Sequence, residues 1–154
     1  MSTSNLIDAR GPRFAAGFTT SVLSIAFLTQ SLWLLLVQTF VFAVGAKFGP
    51  SRTPYGFFFR KFIKPRLTPA SRFEDIKPTQ FAQSVGLAFG VLALAGDLLG
   101  IQGLYVLALA GALAAAFLNV AFDYCLGCET YLLFKRLQHR SERPKALTSE
   151  LASE

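Results

Sequence analysis

Both cysteines of the chain fall in one short segment, Asp123-Tyr124-Cys125-Leu126-Gly127-Cys128-Glu129. Helical i, i+3 spacing brings two Cα atoms within the roughly 4.4 to 6.8 Å that a disulfide can bridge. Cys125 and Cys128 can therefore carry redox or sulfur-transfer chemistry, in which one thiolate attacks and its neighbour resolves the mixed species. Gly127 is expected to break the helix that brings the chain to this point, leaving Cys128 near the N-terminus of a short helix running to Leu137. The positive end of that helix dipole favours a thiolate, which makes Cys128 the expected nucleophile. Asp123 and Glu129 oppose a further negative charge, and Lys47 and Arg52 are expected at the same membrane depth to offset them.

Three other uses of the pair stay open. A metal site needs about four ligands; with His139 the single histidine, that would take two CxxC pairs meeting in a homodimer. Palmitoylation of a juxtamembrane cysteine would add little to a chain already held in a bilayer. The thiols can also serve as small packing residues. The sequence shows no Ser/His/Asp set, no Gly-rich phosphate loop and no paired catalytic carboxylates, so no cofactor and no metal held by a single chain are expected.

The elements that must position this dithiol are membrane spans. Of 154 residues, 53% are hydrophobic and only 16% charged, against about 25% charged in a soluble domain. Three stretches carry no Asp, Glu, Lys or Arg: Phe14 to Ala46, Pro78 to Gly96 and Leu98 to Phe122, which are 33, 19 and 25 residues long. A run of about 18 such residues is long enough to span a bilayer. A continuous helix over the first stretch would be roughly 50 Å long, well beyond a hydrocarbon core of about 30 Å, so it must fold back. Thr29-Gln30-Ser31 is the expected turn, with Trp33 at the interface. The expected architecture is all-α, with spans over about residues 14–28, 32–48, 79–99 and 104–124, the last two joined by Gly100-Ile101-Gln102-Gly103.

Charge orients these spans. All fifteen Lys and Arg lie in the N-terminal segment 1–13, the middle connection or the segment after the fourth span, and neither hairpin turn carries one. The positive-inside rule then places both termini and the middle connection in the cytoplasm, in a multi-pass protein of the bacterial inner (plasma) membrane. The net charge of +6 is accounted for by anionic lipid headgroups and needs no nucleic acid. The interfacial loop over residues 49–78 interleaves Phe57, Phe58, Phe59 and Phe62 with Arg60, Lys61, Lys64 and Arg66, a pattern suited to the headgroup region. Residues 142–154 form a polar tail expected to be disordered.

The two hairpins read as tandem copies. Phe14-Ala15 matches Phe81-Ala82, Leu32-Trp33 matches Leu104-Tyr105, and Tyr55 to Lys61 echoes Tyr131 to Arg136. Two spans per copy give a parallel repeat about an axis along the membrane normal. Ala82, Gly86 and Gly90, and the alanines of the fourth span, suit close helix contact and a tight core. Gln38, Gln83 and Asn119 are the polar groups at depth, expected to bond between helices.

The sequence resembles a family of small bacterial membrane proteins known as domain of unknown function 4395 (DUF4395). The resemblance rests on Asp8 to Ala16, Phe48-Gly49-Pro50 with Ser51 to Gly56, Lys64-Pro65-Arg66-Leu67, Arg72-Phe73-Glu74-Asp75, Phe81-Ala82-Gln83, Ala116 to Asn119 and Cys125 to Glu129, and covers nearly all of residues 7–137. It implies a link to sulfur handling with a cytosolic thioredoxin-like or sulfurtransferase partner. The leading expectation is thus a thiol-redox or sulfur-relay component. The alternative is a non-catalytic membrane anchor or assembly factor with structural cysteines. Transport of a small sulfur compound ranks below both, because the spans hold few polar groups.

Overall fold

Arg10-Gly11-Pro12 opens the first long helix, where proline is tolerated because first-turn N–H groups have no intrahelical partner. In the computed structural model, which describes residues 6–68 and 73–151 and side chains as far as residue 138, this helix, α1, spans Arg10–Thr29. It stops at Gln30, which takes the left-handed conformation at φ 50°. Ser31 is extended, and α2 follows over Leu32–Phe48. The break in the long apolar run therefore falls on its polar residues.

After α2 the chain turns at Gly49 and passes through a 3-10 turn, Pro50–Arg52, into the short helix α3, Pro54–Phe58. A π-helical turn, Phe59–Ile63, and a 3-10 turn, Lys64–Arg66, complete the segment. Strand β2, Phe73–Asp75, leads into α4, Ile76–Leu98, whose first N–H groups are capped by the Asp75 carboxylate accepting from Lys77 N at 3.1 Å. A left-handed Gly100 turns the chain into α5, Gln102–Phe122. Finally α6 runs over Leu126–Leu151. The backbone is thus helical over most of the segment expected to be a disordered tail; residues 152–154 lie outside the described residues.

The chain is mostly helical. α1 packs on α2 and α5, α2 on α4, and α4 on both α5 and α6. A cluster of Leu23, Leu35, Phe42, Ala93, Tyr105, Ala108, Leu109 and Ala112 joins the four long helices α1, α2, α4 and α5. α4 and α5 are long and apolar enough to cross a membrane, and α2 is a shorter apolar helix. Gly86 of α4 lies against the Phe42 ring, which occupies the space a Cβ would need at 2.8 Å; at Gly17 of α1 a Cβ would make only ordinary contact with Val120. The small-residue face of α4 is therefore a helix contact.

Polar groups at depth behave unequally. Gln38 is fully buried, donates to Thr19 Oγ1 at 3.4 Å and accepts from the Tyr55 hydroxyl at 2.8 Å, bonding α1, α2 and α3 as expected. Gln83 does not: its buried Oε1 has no hydrogen-bond partner. Nor is the core tight throughout, since a cavity of about 590 Å³ opens among α1, α4, α5 and the start of α6. The sequence also gave no sign of strand β1, Leu6–Asp8, which pairs antiparallel with β2 and sets Ile7 opposite Glu74.

Candidate functional site: the dithiol at the start of α6

The dithiol sits where α5 ends and α6 begins. α5 stops at Asp123, which adopts the left-handed conformation at φ 55° while its N–H bonds the Leu118 carbonyl. Aspartate is among the few residues that take this conformation without glycine's freedom. The break thus falls at Asp123, four residues before the Gly127 at which it is expected. Gly127 lies inside the first turn of α6, and a Cβ there would sit 2.6 Å from both the Cα and the Cβ of Ala82 on α4. Glycine is required at this position by close helix approach, and not to interrupt a helix.

This shift reverses the roles of the two thiols. Cys125 immediately precedes α6, in the capping position, and its sulfur accepts the backbone N–H of Cys128 at 3.4 Å. The Cys128 thiol also donates to it, with the two Sγ atoms 2.6 Å apart. Both cysteines are free thiols and half-buried. The bond from the Cys128 thiol is the largest influence on Cys125 and lowers its pKa to about 7; burial opposes this, the N–H groups of Cys128 and Gly127 reinforce it, and the Glu74 carboxylate raises it. Cys128, the donor in the same bond, is pushed up, with burial and then the negative charges of Cys125 and Glu74 adding to the rise. A hydroxyl bond from Thr79 of α4 pulls weakly the other way. In this geometry Cys125 is the thiol with the lowered pKa and Cys128 is its hydrogen-bond donor. The expectation that Cys128 would be the more reactive placed it at a helix start that in fact lies two residues earlier, at Leu126.

Electrostatic neighbours differ from those expected as well. Lys47 and Arg52 lie over the Phe48 ring, 5.4 and 6.0 Å from its centroid. Asp123 pairs with Arg13 across the start of α1, at 3.9 Å, and the same guanidinium donates to the Val120 carbonyl at the end of α5. Glu74, which acts on both thiols, arrives through the β1–β2 pair. Among the described residues no group of three or more metal-ligating side chains converges; the side chain of His139 lies outside them.

Aromatic pairs brace the short helix α3 and the start of α6 against the long helices. Phe18 of α1 stacks on Tyr55 of α3 with centroids 5.4 Å apart, and Phe81 of α4 meets Tyr131 of α6 at 5.7 Å. In the middle segment Phe57, Phe58 and Phe62 are exposed while Phe59 is buried, and the Lys61 ammonium lies over the rings of Phe57 and Phe62.

Chemically, a thiol ionised near neutral pH, a neighbouring thiol in bonding distance and an adjoining cavity suffice for attack on a disulfide or persulfide and for closure to an intramolecular disulfide. Compared with known families, residues 7–136 match the family model described as "Domain of unknown function (DUF4395)". No curated protein and no solved structure matches the chain.

Proposed function

The chain belongs to the DUF4395 family, and from that premise we propose that it is a four-span membrane protein whose cytoplasmic dithiol acts in thiol redox or sulfur relay. The two hairpins α1–α2 and α4–α5 form tandem copies with both termini in the cytoplasm, in the bacterial inner membrane. A cytosolic thioredoxin-like protein or sulfurtransferase is the partner that exchanges with Cys125.

The membrane reading is supported by an inverted distribution of side chains. The bundle buries Ala15, Ala16, Ala26, Ala93, Ala108 and Ala112 while Val37, Phe40, Val91 and Leu107 face outward, with Leu107 74% exposed. Water would penalise such an apolar exterior, whereas helix contacts in lipid favour small residues inside. The tandem reading is supported by α3 packing on α1 as α6 packs on α4, each through a Phe–Tyr pair. Impermeant maleimide should label single cysteines at Gln30 or Gln102 in intact cells, in a background lacking Cys125 and Cys128, and leave one at Ser149 unlabelled. Labelling at Ser149 but not at Gln30 contradicts this orientation.

The observation that carries the functional reading is the Cys125 sulfur, which accepts two hydrogen bonds at the start of α6, one from the Cys128 N–H and one from the Cys128 thiol. Replacing the resolving thiol tests it. Cys128→Ser, isolated from cells in detergent, should hold a mixed disulfide through Cys125 to a thioredoxin-like or sulfurtransferase protein, and Cys125→Ser should hold none. Absence of any adduct on Cys128→Ser, with Cys125 alkylating only after denaturation, favours the anchor reading, in which the surface from Phe57 to Arg66 does the work.

A further inference from the structure

The arginines and lysines around the start of α1 and the end of α2 differ in whether they have a partner. Arg10 donates to the Thr68 carbonyl and Arg13 pairs with Asp123. Lys47, Arg52 and Lys61 lie over phenylalanine rings. The side chains of Arg60, Lys64 and Arg66 have no hydrogen bond, ion pair or ring contact among the described residues, and the first two line one cavity. Its volume is about 220 Å³, and it lies between β1, the first turn of α1, the turn at Pro50 and Ser51, and the π-helical turn that carries Arg60.

Two cations one helical turn apart repel each other unless an anion lies between them. Asp8 is the acid that lines the cavity and offsets one of the two charges, and its Oδ1 already accepts the Arg10 N–H at 3.0 Å. The positive end of the α1 dipole adds to the charge that remains, so the interior favours an anion. The rim favours an apolar group: Leu6 of β1 and Phe73 of β2 line it and are 52% and 57% exposed. A free anion would leave both side chains in water, whereas a phospholipid brings phosphate and hydrocarbon together. An ethanolamine headgroup would add a further cation to the site, so the lipid is one of net negative charge.

We propose that this cavity holds the phosphate of an anionic phospholipid from the cytoplasmic leaflet, with Arg60 and Lys64 donating to its oxygens and Leu6 and Phe73 against the start of its acyl chains. The inference rests on the four-span reading, which sets the start of α1 and the end of α2 at the cytoplasmic headgroup level, and it is independent of the thiol chemistry. A volume of about 220 Å³ is below the range of about 300 to 1,000 Å³ for sites that enclose a whole ligand. Only the phosphate and glycerol enter, and the chains stay in the bilayer. The bound lipid ties the middle segment to β1 and the start of α1, and binding to the folded chain raises its melting temperature.

The test uses the full chain in detergent, with phosphatidylglycerol as probe and native mass spectrometry to count bound lipid through a titration. Arg60→Gln/Lys64→Gln should weaken phosphatidylglycerol binding about tenfold or more. Lys61→Gln/Arg66→Gln removes the same charge from the same segment and should weaken it about threefold or less, as for exposed charges outside the site. Phosphatidylethanolamine should bind the unaltered chain about tenfold more weakly than phosphatidylglycerol and raise its melting temperature less. Lys64→Glu alone, at an exposed position, is a second variant and should also weaken binding; size exclusion establishes that each variant folds. Equal losses in the two double variants would mean diffuse attraction of basic residues to lipid, and equal binding of the two lipids would mean no selection by charge; either result overturns the proposal. Displacement of the lipid by inorganic phosphate at equal concentration would make this a free-phosphate site and also overturns it. In each case the four-span reading, decided by maleimide labelling, stands.

Discussion

Two junctions of this molecule solve one capping problem with different atoms. After α2 the chain turns through Gly49 to Thr53, whose hydroxyl accepts the N–H of Gly56 at 3.1 Å to start α3. After α5 it turns through Asp123 to Cys125, whose sulfur accepts the N–H of Cys128 three residues on to start α6. Thr53 is 1% exposed, donates in turn to the Pro50 carbonyl and is sealed in. Cys125 is half-buried and lines a cavity. Threonine shows that a hydroxyl performs the capping without difficulty, and it is the better capping group. Two thiols at the second junction are therefore more than the local fold requires, and what sulfur adds over oxygen is nucleophilic and redox chemistry.

The comparison can be broken most severely at its glycines. A Cβ at Gly56 would run into the Pro50 carbonyl, and one at Gly127 would run into the Ala82 backbone. Gly56→Ala and Gly127→Ala should each cost about 1 to 3 kcal/mol, as overpacking of a close site does, read as a lower melting temperature in detergent. Only Gly127→Ala should also disturb the thiols, by moving the start of α6 off α4; equal effects of the two variants on Cys125 alkylation would show that the junctions are not independent.

Exchanging the caps gives a smaller effect. Thr53→Ala should lose about 1 kcal/mol, the usual worth of an N-cap side chain. Cys125→Thr should hold or slightly raise the melting temperature while abolishing disulfide formation. A loss on Cys125→Thr as large as on Thr53→Ala would make the sulfur a structural element and remove the argument from capping.

Charge gives the smallest effect. Glu74 raises the pKa of both cysteines, so Glu74→Gln should move the midpoint of Cys125 alkylation to lower pH, by a few tenths of a unit, on the order of 0.5 kcal/mol or less for a partly solvated pair. Its counterpart, Thr53, has no ionisable group and the first junction should show no pH dependence. A shift to higher pH in Glu74→Gln would remove Glu74 from the thiols' surroundings.

How far the sequence reveals this arrangement depends on the kind of signal. Helix limits are legible where polar residues or a glycine interrupt an apolar run: α1 ends at Thr29 and α2 starts at Leu32, and α4 and α5 flank Leu99 to Ile101 around the left-handed Gly100. The contact face of α4 is legible because Ala82, Gly86 and Gly90 recur every four residues. Gly127 misleads, since a glycine after an apolar helix reads as a helix end, while the left-handed residue is Asp123. That four-residue shift puts Cys125, and not Cys128, in the capping position of α6. Strands of three residues such as β1 and β2 are too short to show alternation, so the approach of Glu74 to the thiols is invisible. The cavity is hidden for another reason: a stripe of small residues reads as close packing, but where small residues of several helices face one another a gap remains.

The central claim, that Cys125 is an activated nucleophile and Cys128 its resolving partner, is tested most directly by site-resolved alkylation against pH. Fully reduced protein in nanodiscs, pulsed with iodoacetamide from pH 5.5 to 10 and read by peptide mass, should show Cys125 modification rising through a midpoint near pH 7 and levelling off. The sign follows from the lowered pKa: the thiolate fraction is lost as pH falls through that midpoint. Cys128 should remain slow across the range until Cys125 is replaced by Ser. Faster modification of Cys128 at neutral pH, or a single midpoint near 9 for both cysteines, would contradict the account.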